Sequence, residues 1–273
     1  MIVGPGIWMT LLSIAIGSAG AGSAPERWVD DEQVLAARRV RLSAGVGAVR
    51  VATQTLTNQT RAFTGTGLSF AEAVGLGHDL EVGVRFGFRT DAAGRGLRAD
   101  EVGRGFETET FGTGLSAAAN PEMRLRWRAL RWPSLEAGLE NRVVLPVVLD
   151  PSLTEWVAAW TSVHFGHVGR LDVAVEGILG WSTFAAANVL QPGFGLPVAF
   201  FANVTPAAFV GIMASARYFG PTDYTHGHAR LITGLGFGYR LPPCDVTLTA
   251  FLLDTLTEFK DRAGLGIGLS CTM

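Results

Sequence analysis

At 273 residues, with a formal net charge of −2 and a mean hydropathy of +0.29, the chain is too apolar for a disordered segment and too evenly charged for a nucleic-acid binder. Its 35 glycines follow no Gly-X-Y period, which excludes collagen, and they fall inside alternating segments, where small residues suit a crowded or curved sheet face. Lys260 is the only lysine among 22 basic residues, a bias of composition rather than of function.

Residues 1–21 are apolar and end in Ala19-Gly20-Ala21, an A-x-A cleavage pattern. They read as a secretory signal peptide, although no Lys or Arg precedes Arg27. Residues 22–39 are polar, mixed in charge and without a period, and read as a periplasmic lead-in to a barrel over 40–273. A first strand has Val40, Leu42, Ala44, Val46 and Ala48 alternating with Arg41, Ser43, Gly45 and Gly47. Thr53 to Thr64 reads as a polar loop. The second strand carries Leu68, Phe70 and Val74 on one parity, and Glu72 on that same parity calls for a bulge or a rim position.

Leu76 to Asp79 has the glycine-bearing composition of a tight turn, and the clearest strand follows it. Leu80, Val82, Val84, Phe86 and Phe88 alternate with Glu81, Gly83, Arg85, Gly87 and Arg89. Thr90 to Pro121 is long, irregular and charged. Then Met123, Leu125 and Trp127 alternate with Arg124, Arg126 and Arg128; Trp132-Pro133-Ser134 turns the chain; and Leu135, Ala137 and Leu139 oppose Glu136, Gly138, Glu140 and Arg142. Trp156 to Phe165 reads as a strand of ambiguous period. Leu171, Val173 and Val175 against Asp172, Ala174 and Glu176 give the next. Ser182 to Leu196 reads as a loop, with strands at Pro197 to Val204 and Ala208 to Arg217 separated by Thr205-Pro206. Leu231, Thr233, Leu235, Phe237 and Tyr239 alternate with Arg230, Ile232, three glycines and Arg240, and Pro242-Pro243 leads to a last pair, Cys244 to Asp254 and Arg262 to Cys271.

These segments number 12, with long connections after odd strands and short ones after even strands. A soluble sandwich has no reason to sort its loops so, whereas a transmembrane, antiparallel, up-and-down β-barrel does. Segments of roughly 9–11 residues match a tilted bilayer strand. The competing helical reading rests on Gly177 to Ala216, which contains no charged residue. Pro192, Pro197 and Pro206 interrupt that run and argue against helices.

The stretch Val74-Gly75-Leu76-Gly77-His78-Asp79-Leu80-Glu81-Val82-Gly83-Val84 resembles the Tyr-Gly-Leu-Thr-Asp-Arg-Leu-Glu-Leu-Gly-Leu pattern of Gram-negative outer-membrane barrels. It is especially similar to the transporter-like group named for the meta pathway of phenol degradation. The resemblance implies an outer-membrane barrel that passes small aromatic or apolar molecules.

With the apolar parity toward lipid, the lumen receives Arg85, Arg89, Arg124, Arg126, Arg128, Arg142, Arg230 and Arg240, against Glu81, Glu136 and Glu140. Such an excess of fixed positive charge favours anions in an open lumen; alternatively the charges pair across strands and fill a narrow one. Cys244 and Cys271 share the parity of Val246, Leu248, Ile267 and Leu269, so pairing them keeps the last hairpin in register and predicts a disulfide at the periplasmic rim. Trp132, Trp181 and Tyr239 fall at strand ends, where amphipathic rings favour the membrane interface. His226-Gly227-His228 lacks a third ligand and reads as a loop, and no Ser stands beside a placed base, so neither a metal nor an enzyme is expected. The expectation is an outer-membrane channel for passive passage of small solutes, in contact with the lipid bilayer, with no cofactor and no nucleic acid. A non-conducting barrel that binds a surface partner through its external loops is the alternative.

Overall fold

The structure, a computed structural model, describes residues 28–54, 60–89, 121–145, 153–184, 187–221, 227–252 and 262–273. The alternating segments form β1 (Val40–Gln54), β2 (Thr60–Gly77), β3 (Leu80–Arg89), β4 (Glu122–Trp132), β5 (Leu135–Val144) and β6 (Leu153–Phe165). They continue as β7 (Gly169–Phe184), β8 (Ala187–Asn203), β9 (Ala208–Phe219), β10 (His228–Leu241), β11 (Cys244–Leu252) and β12 (Arg262–Thr272). Each strand pairs antiparallel with its sequence neighbours, and β1 pairs with β12, which closes the sheet. The apolar parity faces out: Met123, Leu125, Trp127, Leu235, Ile267 and Leu269 are exposed. A water-soluble fold would bury these side chains, whereas hydrocarbon solvates them. Among the described residues no helix is long and apolar enough to cross a membrane, and Gly177 to Ala216 is strand on β7, β8 and β9.

Three sequence readings change. The chain from Thr53 to Thr64 is mostly strand, because β1 runs to Gln54 and β2 starts at Thr60. The register of β2 runs unbroken past Glu72, which lies opposite Leu42 and Val84, two residues from the Val40↔Val74 pair at the rim. The bulge falls further on, between Gly75 and Gly77, next to a two-residue turn in which His78 (φ 52°) and Asp79 (φ 59°) both take the left-handed conformation a tight hairpin requires. The expected loop from Ser182 to Leu196 is also largely strand. Pro192 and Pro197 lie within β8, where the β7 pairing is interrupted between Val173↔Val198 and Glu176↔Gly195, around Pro197. A proline lacking one ladder donor is tolerated there because β8 keeps its partners on β9.

At the rim, Cys244 and Cys271 are joined by a disulfide, with Val246 opposite Leu269 and Leu248 opposite Ile267. Residues 1–21, the loop 90–120 and His226 lie outside the described residues.

Inward-facing glycines make room for large lumen side chains. A Cβ at Gly238 would run into the ring of Phe209, and one at Gly211 into the ring of Phe201. Gly238→Ala therefore costs about 1–3 kcal/mol through overpacking. Gly177→Ala, whose Cβ meets nothing closer than 3.8 Å, serves as the control. The measurement is the urea midpoint at which folded, heat-modifiable gel mobility is lost; equal midpoints for the two variants would refute the account.

Candidate transport lumen

Alternation carries the charged residues of β3 to β7 to one inner wall, and there they pair. Glu81 is wholly buried (0% exposed) and is bridged by Arg124. Arg85 lies 3.7 Å from Glu122, and Arg126 3.4 Å from Glu140. Arg142 reaches Glu140 at 3.2 Å and Glu176 at 2.8 Å, while Arg217 on β9 reaches the other oxygen of Glu176 at 3.0 Å. Arg128 meets Asp79 and Glu136, and Arg240 meets Asp245. The Arg89 and Arg230 side chains lie outside the described residues. Apart from those two, each arginine named here has a carboxylate within reach, the arrangement that makes charge tolerable in an interior.

The Arg217–Glu176–Arg142 bridge passes over β8 at Gly195. A Cβ there would sit 2.8 Å from Glu176 Oε2 and 3.2 Å from Arg217 Cγ. Glycine is what lets the bridge cross the strand.

Two tryptophans that sequence reasoning did not place are part of this wall. On β6, Trp156, Ala158, Trp160 and Ser162 are the buried set, so the strand is apolar on both faces and its period is blurred. Inside the lumen the guanidinium of Arg126 lies 4.1 Å from the Trp160 ring centroid, and that of Arg142 lies 5.5 Å from Trp156. The available signal was the parity shared by Trp156, Trp160 and Ser162, opposite a strand pair already rich in arginine.

The other inner wall is apolar. Ala199, Phe201, Phe209, Met213, Ile232 and Phe251 form one buried cluster on β8 to β11. The lead-in is seated against this wall and is more than a solvated tether. Trp28 stacks on Phe209 (4.2 Å, 15°), lies 4.7 Å from Phe201, and is covered by the Arg170 guanidinium at 4.3 Å. Val29, Val34 and Leu35 are buried. Its acidic residues meet barrel side chains: Asp30 with His167 at 3.0 Å, Asp31 with Arg240, and Glu32 with Arg128 at 3.3 Å and with Arg131. Two barrel carboxylates accept its backbone N–H groups, Gln33 to Glu136 at 3.1 Å and Leu35 to Glu81 at 2.9 Å. Gly75 exchanges backbone hydrogen bonds with Arg38 and Arg39, and a Cβ there would strike the carbonyl of Ala36. Residues 28–39 thus form a plug whose contacts have no period to detect. Among the described residues no group of three or more His, Cys, Asp or Glu could hold a metal ion.

No family model and no curated protein sequence matches the chain. Solved structures do. An outer membrane channel from Pseudomonas putida F1 superposes with a TM-score of 0.63 at 11% identity, over 89% of this chain and 98% of that one. The NanC porin gives 0.54 at 7% identity, over 84% and 98%. The KdgM porin in complex with disordered oligogalacturonate gives 0.50 at 4% identity, over 85% and 98%. What is shared at such identities is the fold, a closed antiparallel barrel of the outer-membrane type.

Two outcomes test the lumen. Glu176→Gln leaves Arg142 and Arg217 without their shared anion and costs about 3 kcal/mol or more, read as a lower urea midpoint of the barrel; an unchanged midpoint would reject the bridge as structural. Burial raises the Asp31 carboxyl above its ordinary value, and the Arg240 hydrogen bond only partly offsets this. Seating the plug therefore takes up a proton at Asp31. That contribution is full below the free carboxyl's pKa and is lost as pH rises through the raised one. Protection of residues 28–39 from protease should gain on acidification in the native chain and lose that part of its slope in Asp31→Asn.

Proposed function

We propose that the chain is an outer-membrane channel for passive passage of small solutes, closed at its periplasmic end by its own N-terminal segment. The observation that carries this reading is the inverted barrel, apolar outside and lined with arginine–carboxylate pairs inside. The similar folds belong to a channel and to porins, which favours transport over catalysis, and the KdgM porin was captured with oligogalacturonate. On this reading residues 1–21 direct export, and both ends of the mature chain lie on the periplasmic side, where the short turns and the Cys244–Cys271 staple sit. Anions are the favoured solutes, because Arg128 and Arg240 lose carboxylate partners when the plug leaves. The Val74 to Val84 stretch supports placing the chain near the transporter-like group of the phenol meta pathway.

One observation favours a non-conducting barrel, namely that the plug is seated and the wall charges are paired. The two readings part in a planar bilayer. The intact chain should conduct weakly, and Asp31→Lys combined with Glu32→Lys, which sets like charge against Arg240 and Arg128, should raise conductance severalfold, with a reversal potential of anion-selective sign in a salt gradient. Folded barrel that stays silent in both forms would establish the non-conducting reading instead.

A further inference from the structure

The plug presents two unlike groups on a single turn. Asp31 N donates to Trp28 O at 3.1 Å, so the two residues close one turn, and on β10 Gly238, over which the Phe209 ring lies, is two residues before Arg240. The barrel meets each with a matching group. The indole enters a slot walled by Phe209 and Phe201 and lidded by Arg170. The carboxylate meets Arg240, and Arg170 Nη1 also donates to the Asp31 carbonyl at 3.4 Å. Two missing side chains keep the slot walls in place, since Gly238 admits the Phe209 ring and Gly211 the Phe201 ring.

A flat ring held between an aromatic face and a guanidinium, one short turn away from a second arginine, is the chemistry that recognises an arylalkyl carboxylate. Taking the channel reading as given, we propose that the Trp28 slot is a binding site for aromatic carboxylates, and that the plug closes the lumen by occupying it. A solute of this class competes with Trp28 for the slot and with Asp31 for Arg240. Neither half suffices: a neutral arene lacks the anion that Arg240 needs, and a small carboxylate lacks the ring that fills the slot. Binding is non-covalent, and seating and release are one equilibrium that the solute shifts by its preference for the vacated slot.

The test uses the full chain in planar bilayers, with indole-3-acetate, indole, acetate and cyclohexylacetate as probes. Indole-3-acetate should raise conductance saturably, and each of the other three should require at least about fivefold more to do so, the factor that one cation–π or charged contact supplies. Trp28→Ala should conduct without any probe and lose the response, while Trp28→Phe, which keeps a ring, should stay closed and retain it. Folding of each variant is checked by heat-modifiable mobility. If Trp28→Ala opens but the intact chain ignores indole-3-acetate, or answers acetate equally, the slot is only a structural seat and the proposal fails while the channel stands. If Trp28→Ala is folded and silent, and the Asp31→Lys, Glu32→Lys chain is silent too, the channel reading itself falls.

Discussion

Everything in this barrel depends on a backbone that must satisfy its own hydrogen bonds in hydrocarbon. The available β solution is a closed sheet, and closure fixes the rest. Once β1 pairs with β12, each strand has one face for lipid and one for the interior, and the sequence's period of two becomes a statement about which solvent each side chain meets. Leucine and valine go outward. Arginine and glutamate, which lipid would reject, are left to share a narrow lumen, and there they are stable only in pairs.

Pairing then sets demands that reach back to single residues. Glu176 serves two arginines from strands on either side of it, and the Arg217 half of that bridge must cross β8. Gly195 is the reason it can. Trp160 can lie beneath Arg126 because Gly138 carries no side chain to collide with its ring. The abundance of glycine on the inner parity is therefore a consequence of packing bulky and charged groups into a small bore, with the chain's twist as a secondary beneficiary.

The same logic explains what could be read from the sequence. On β3 and β4, where Leu80 to Phe86 and Met123 to Trp127 alternate with charged neighbours, alternation gave strand and face together. In the last hairpin the shared parity of Cys244, Val246 and Leu248 left one pairing that kept every apolar residue outside, and the observed register has that pairing. Where the interior is itself apolar, alternation fails. Trp156 and Trp160 made β6 look greasy on both sides, and Phe201 and Met213 did the same for β8 and β9. Prolines misled for a different reason: they mark breaks in helices and central soluble strands, but β8 keeps Pro192 in register opposite Leu179 and loses pairing only around Pro197. The plug was illegible in principle. Its residues meet the barrel one at a time, through a ring, three carboxylates and two backbone N–H groups, and such a set has no period.

The plug also changes what the lumen charge means. With residues 28–39 seated, Asp31 and Glu32 add carboxylates beside Arg240 and Arg128, and Asp30 meets His167. On the proposed reading, withdrawing the plug leaves Arg240 with Asp245 and Arg128 with Asp79 and Glu136. On the proposed channel reading, closure and anion preference are two states of one set of residues. The arginines that hold the plug are the ones a permeant anion would meet first after it leaves. On the proposed channel reading such a barrel needs no separate gate and filter, because an anion that can replace the plug's carboxylates is by that fact one the opened lumen accepts.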